Sequence, residues 1–248
     1  MRQLSAPKAV SHAITSIWTY RQVALRVVLM WVPVMLALAI VEVWMGPPDP
    51  AATQITAQAA VQLLAGLVSF IAVCSVAVSW HRFILRDEVP GGLRLDASVL
   101  RYAGSTILIM LMMFIPALFL LAGTEFTPAA AAIAGLASLI LVGGAVTRLS
   151  IKLPAVALGN HTFTFRDAWT VSEGNFWPCV GVFALTLVIA FGCVVLLLAV
   201  SGMAGLIDAM LAQVVLTVGA AVLQLFYAIF NAAMFTSLYG YFVEKRDF

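Results

Sequence analysis

The chain of 248 residues is 63% hydrophobic and only 10% charged, with a formal net charge of +2. Its mean hydropathy of +1.08 excludes a soluble globule, which needs a polar surface, and the small net charge leaves no electrostatic footprint for nucleic acid. Backbone amides must be paired internally in lipid, so apolar runs of about 20 non-alternating residues are read as spanning helices.

Residues 6–22 come before the first apolar run. Val10, Ala13, Ile14, Ile17 and Trp18 recur at three- and four-residue spacing. That predicts one face of an amphipathic helix lying on the membrane surface, with a helical extension of the first span as the alternative. Trp18 and Tyr20 are residue types favoured at headgroup level. The first apolar run is too long for a signal-peptide core, so a cleaved leader is not expected.

The first span is read over 23–45, with Arg26 at its inner end, Pro33 within it and Glu42 near its outer end. Gly46, Pro47, Pro48, Asp49 and Pro50 predict a rigid turn. The second span covers 57–80. His81, Arg82, Arg86, Asp87 and Glu88 follow it, and Pro90, Gly91 and Gly92 break the chain. Arg82 and Arg86 lie four apart on one helical face, where they reach lipid phosphate or only set topology. Asp87 and Glu88 neutralise part of that charge. Asp96 or Ser98 caps the third span, 99–122, which contains Pro116. Residues 123–128 make a short turn into the fourth span, 129–146. The small side chains of Ala131, Gly135, Ser138, Gly143 and Gly144 predict close contacts and a central position for it. The fifth and sixth spans cover 177–200 and 209–239.

All 13 lysines and arginines fall in the N-terminal segment, the second and fourth connections, the C-terminal tail or the adjoining span ends. Positive charge resists translocation, so both termini are expected in the cytoplasm of a bacterial inner membrane. An echo links Met30 to Ala39 with Met113 to Ala122, each carrying a proline at the matching place. A second links Ile17-Trp18-Thr19 with Ala168-Trp169-Thr170. These suggest a parallel repeat of three helical hairpins within a single integral membrane domain.

The connection between spans four and five is the richest stretch. Arg148 ends the span, and Pro154 bends an interfacial helix. Gly159 and Asn160 stop it, and Thr164 caps a short helix over 165–173. Arg166-Asp167-Ala168-Trp169 and then Asn175-Phe176-Trp177 follow. This order resembles bacterial membrane proteins related to the membrane domain fused to some glycerophosphodiester phosphodiesterases. The resemblance rests mainly on residues 148–177, whose types are common at membrane interfaces. It implies a helical membrane module without catalytic residues of its own, since the chain has no room for the phosphodiesterase domain.

The expected interface or lipid-headgroup contacts are Trp18, Arg82, Arg86, Arg148, Arg166, Trp169 and Trp177. In the sixth span Ala220, Gln224, Ala228, Ala232, Thr236 and Gly240 recur every four residues. Gln213, Gln224 and Asn231 are the candidate intramembrane polar face, either interhelical glue or a polar pathway. No span places a carboxylate or histidine near its middle, which argues against a proton-driven carrier. His12, His81 and His161 map to the inner interface without metal-ligand spacing, and are read as solvated or interfacial. Cys74, Cys179 and Cys193 form no CxxC pair and are read as buried apolar residues. No hydrolase motif is present, and no cofactor or metal is expected.

The expectation is an all-α protein of six transmembrane helices with an N-terminal interfacial helix. It would be a non-enzymatic accessory or scaffold subunit binding lipids and a membrane-protein partner or a second copy. The alternative is a transporter or channel-like protein for a lipid or apolar solute. A cavity reaching Gln224 and Asn231 would favour the alternative, and a solid core there would count against it. A membrane enzyme ranks third.

Overall fold

The computed structural model describes residues 3–46, 56–121 and 127–247. The turns expected at Pro47 to Pro50 and at 123–126 lie outside the described residues. Within them all regular structure is helical. The helices are α1 (Ala6–Thr19), α2 (Arg21–Leu29), α3 (Val32–Met45), α4 (Ala57–Arg86), α5 (Ala97–Leu111) and α6 (Phe114–Leu121). They continue as α7 (Pro128–Leu149), α8 (Lys152–Ala157), α9 (Phe165–Val171), α10 (Phe176–Gly205) and α11 (Ala209–Phe242).

Five helical stretches are long and apolar enough to cross a membrane: Ala57–Arg86, Ala97–Leu118, Ala129–Ala157, Phe176–Gly205 and Ala209–Phe242. A sixth arises if α2 and α3, bent by 44° at their junction, count as one span. The chain is therefore a multi-pass membrane protein. Two spans break just ahead of their prolines, at Met30–Trp31 and at Met112–Met113. Pro33 and Pro116 have no N–H to give, and each ring crowds the carbonyl four residues earlier, Leu29 or Met112.

Two spans run further than expected. α4 continues through His81 and Arg82 to Arg86, six residues past 80, and the fourth stretch continues to Ala157. Arginine is a good helix former and its stem can lie along apolar surface. The basic residues therefore mark where the apolar run ends without ending the helix.

The core sits towards the end of the bundle that carries the basic residues. There α11 is buried almost continuously from Ala228 to Phe242, and α4 from Cys74 to His81. α11 packs on α1, α3, α4, α8 and α10. The fourth span is not central, contrary to its small-residue composition. α7 packs on α6 and α10 and leaves Ile133, Leu136 and Leu141 exposed. Small residues license one close contact, and do not require contacts all round. Here a Cβ at Gly143 would meet the Phe183 ring at 2.2 Å, and one at Gly144 would meet Val180 at 2.4 Å.

The segment after α7 also departs from expectation. α8 is a wedge inside the bundle, with Leu153, Pro154, Ala155, Val156 and Ala157 all buried against α4, α5 and α11. Gly159, at φ +74°, ends it as expected, and Asn160 N–H closes back on Ala155 C=O. Thr164 and Asp167 form a reciprocal capping box at α9. Asp96 is the cap of α5, accepting from Ser98 and Val99 N–H. α1 is a separate helix that lies across α10 and α11. It buries Ala9, Val10 and Ala13, while Ile14 and Trp18 stay exposed.

Candidate functional site

Along α3, Met35, Leu38, Ala39 and Glu42 recur at helical spacing and form one wall of a cavity of about 620 Å³. α4 supplies Gln62, Gly66 and Ser69, and α11 supplies Thr217, Ala220 and Gln224. A second cavity of about 280 Å³ lies closer to the basic end, between α4, α5, α7, α8 and α11. Its lining includes Tyr102, Ile109, Tyr227 and Asn231. Val73, Met110 and Gln224 border both cavities, so the two adjoin.

The polar groups are unevenly spread. Glu42, Gln62, Ser69 and Thr217 line only the larger cavity, and Glu42 is the sole charged residue among the described lining of either. The smaller cavity is walled mainly by aliphatic and aromatic side chains. Gln224 stands at the junction. Asn231 lines the inner cavity and donates to Tyr227 C=O at 2.8 Å. Gln213 is exposed on α11 away from both. Two of the three residues of the expected polar face thus meet at one space.

Below the inner cavity lies a buried polar cluster that the sequence reading missed. His81 is fully buried, not solvated. Its Nδ1 lies 2.8 Å from Thr236 Oγ1 and its Nε2 lies 3.3 Å from the Tyr102 hydroxyl. The sequence signal was the four-residue stripe that includes Thr236. A polar group buried on α11 needs a partner on the facing helix.

The expected collar residues divide into two groups. Arg82 and Arg148 are structural ties. Arg82 Nε donates to Ala157 C=O at 2.9 Å, capping α8, and its Nη1 pairs with Glu88 at 3.1 Å. Arg94 holds the same carboxylate. Those partners, led by the Arg94 hydrogen bond, keep the Glu88 carboxyl below its ordinary range. Arg148 is buried. It donates to Ser172 Oγ at 2.8 Å and to Trp169 C=O at 2.6 Å, and its guanidinium lies 3.8 Å from the Trp169 ring centroid. Arg86 and Arg166 are exposed, as are Trp18 and Trp177. Trp18 is flanked by Arg21 at 5.6 Å. Trp169 is half-exposed beneath Arg148.

The three histidines have different surroundings. His12 Nδ1 lies 2.9 Å from Ser237 Oγ, and burial holds its imidazole below the usual value. His161 is exposed beside Arg101. Among the described residues no three His, Cys, Asp or Glu side chains are grouped to hold a metal ion. Cys74 and Cys179 are buried and Cys193 is partly so, and none is paired.

Comparison of the chain with protein-family models, with curated proteins and with solved structures finds no match.

Proposed function

We propose that this protein binds an amphiphile within the membrane and moves it between the two cavities. The observation that carries the reading is the pair of adjoining spaces that meet at Gln224 between α4, α5 and α11. A bundle built only as a scaffold would gain by filling them, because apolar voids forfeit contacts. The polarity gradient suits a molecule with a polar head and an apolar tail. The tail fits the space around Ile109 and Tyr227, and the head fits Glu42, Gln62 and Ser69. Glu42, the lone charge among the described lining residues, favours a neutral or cationic head over an anionic one.

The one-sided distribution of lysine and arginine supports placement in a bacterial inner membrane with both termini in the cytoplasm. The exposed apolar faces of α7 and α10 fit lipid, a second copy or a partner subunit alike. The accessory-subunit reading therefore stays second.

Gly66 supplies the test. It lines the larger cavity, and a Cβ built there meets no heavy atom within 4 Å. Gly66→Leu should therefore fold, with a helix-propensity gain of roughly 0.5–1 kcal/mol. It should reduce binding of a dansylated long-chain amine to the purified protein at least tenfold. Equal binding by wild type and Gly66→Leu, or none by either, would return the weight to an accessory role.

A further inference from the structure

His81 stands between two spaces that it does not itself line. On one side Tyr102 borders the cavity of about 280 Å³ that Gln224 and Asn231 also reach. On the other, Thr236 borders a hollow of about 90 Å³ at the basic end, shared with His12, Ser237, Arg246 and Asp247. The imidazole bonds both hydroxyls and is otherwise enclosed, with no exposed surface. A proton can reach it only through those two oxygens.

The proton positions follow from counting donors. Thr236 Oγ1 donates to Ala232 C=O at 2.7 Å, one turn back on α11, so towards His81 it is the acceptor. His81 Nδ1 therefore carries the hydrogen. Nε2 of the neutral ring then has the lone pair and accepts from Tyr102 O–H. This assignment is drawn from the network. Both bonds run the same way, from the cavity towards the hollow. A histidine serving only to pin α4 to α5 and α11 would need no opening on either side. Here Tyr102 lines one space and Thr236 lines the other.

We propose that Tyr102, His81 and Thr236 form a proton relay joining the intramembrane cavity to the hollow at the basic end. Tyr102 passes its hydroxyl proton to Nε2 and takes another from solvent in the cavity. The imidazolium releases its Nδ1 proton to Thr236 Oγ1, whose own proton leaves its bond to Ala232 C=O for solvent in the hollow. One proton enters and one leaves, so the protein retains no net charge. The ring is left with its hydrogen on Nε2, and a turn that brings Nε2–H towards Thr236 and the bare Nδ1 towards Tyr102 readies it for the next proton. The other titratable groups lining the two spaces are Cys74 and Tyr227 on the Tyr102 side, and His12, Tyr241, Arg246 and Asp247 on the Thr236 side. Among the described residues the imidazole has no carboxylate or cation as hydrogen-bond partner. A fixed counter-charge would trap a proton there.

The test uses the full chain in phosphatidylethanolamine–phosphatidylglycerol vesicles loaded with pyranine, with a potassium gradient and valinomycin setting the voltage. Wild-type protein should move protons several-fold faster than protein-free vesicles. Tyr102→Phe keeps the ring and loses only the hydroxyl, so it should fall to the protein-free rate, as should His81→Gln. Ser138→Ala, which removes a hydroxyl on α7 that lines neither space, should retain the flux. If His81→Gln does not fold, Tyr102→Phe alone decides. Wild-type flux equal to that of empty vesicles overturns the proposal, and so does full flux in Tyr102→Phe. Neither result depends on whether an amphiphile binds.

Discussion

Arg148 shows how this chain keeps a guanidinium in an apolar setting. Its fork reaches Ser172 and the Trp169 carbonyl while its plane lies on the Trp169 ring. A lysine offers a point charge that cannot serve both oxygens and stack. Arg148→Lys is therefore expected to cost about 1–3 kcal/mol, read as a lower melting temperature of the purified protein. Glu88 gives a pH dependence. Its folded carboxyl is held below the usual value by Arg94 and Arg82, so the unfolded chain binds the proton first as pH falls. The stabilisation is fully present above about pH 4.5 and is lost as pH drops through the lowered folded value. Wild type should lose thermal stability over that acid range, and Glu88→Gln should be less stable at neutral pH and flatter in acid. Melting curves at a series of pH values check this.

At the scale of elements, the α7–α10 contact depends on the absence of side chains. A Cβ at Gly143 would fall inside the Phe183 ring contact at 2.2 Å. Gly143→Ala is therefore expected to push the helices apart at a cost of about 1–3 kcal/mol, outweighing the propensity gain, and thermal melts would show it. The contrast with Gly66 tests the packing directly, since both are helical glycines with opposite surroundings. Much at this scale was legible in the chain. Hydropathy located the spans, Pro33 and Pro116 located the breaks, and Thr164 located the α9 cap, whose Asp167 half only the structure shows. The rest was hidden for a physical reason. Sequence polarity says what a residue costs in lipid, but not whether another helix relieves that cost. His81 reads as an interfacial residue until Tyr102 and Thr236 are brought to its two nitrogens. The cavities were equally unreadable, because a void is a property of how α3, α4, α5 and α11 fail to meet.

Over the whole molecule, the start of the chain is tied to its far end. Leu4 N–H donates to Asn175 Oδ1 at 2.7 Å, and the Tyr241 hydroxyl donates to Gln3 C=O at 2.9 Å. Asn175→Ala should loosen this strap and speed protease cleavage within residues 3–19, while cleavage elsewhere stays unchanged. The break at Met30–Trp31 has a larger reach. Trp31 is anchored there, its indole donating to Ser75 Oγ at 3.2 Å, and Ser75 in turn bonds Arg94 C=O. Beyond that anchor α3 runs out as a rigid rod carrying the cavity wall. Glu42 lies 11 residues past Trp31, a lever arm of about 16 Å at 1.5 Å per residue. Swinging that rod by about 10° about its anchored end would carry Glu42 through about 3 Å, roughly the width of a water molecule. A small angular change at one end of the bundle is thus geared into a larger displacement of the cavity wall at the other.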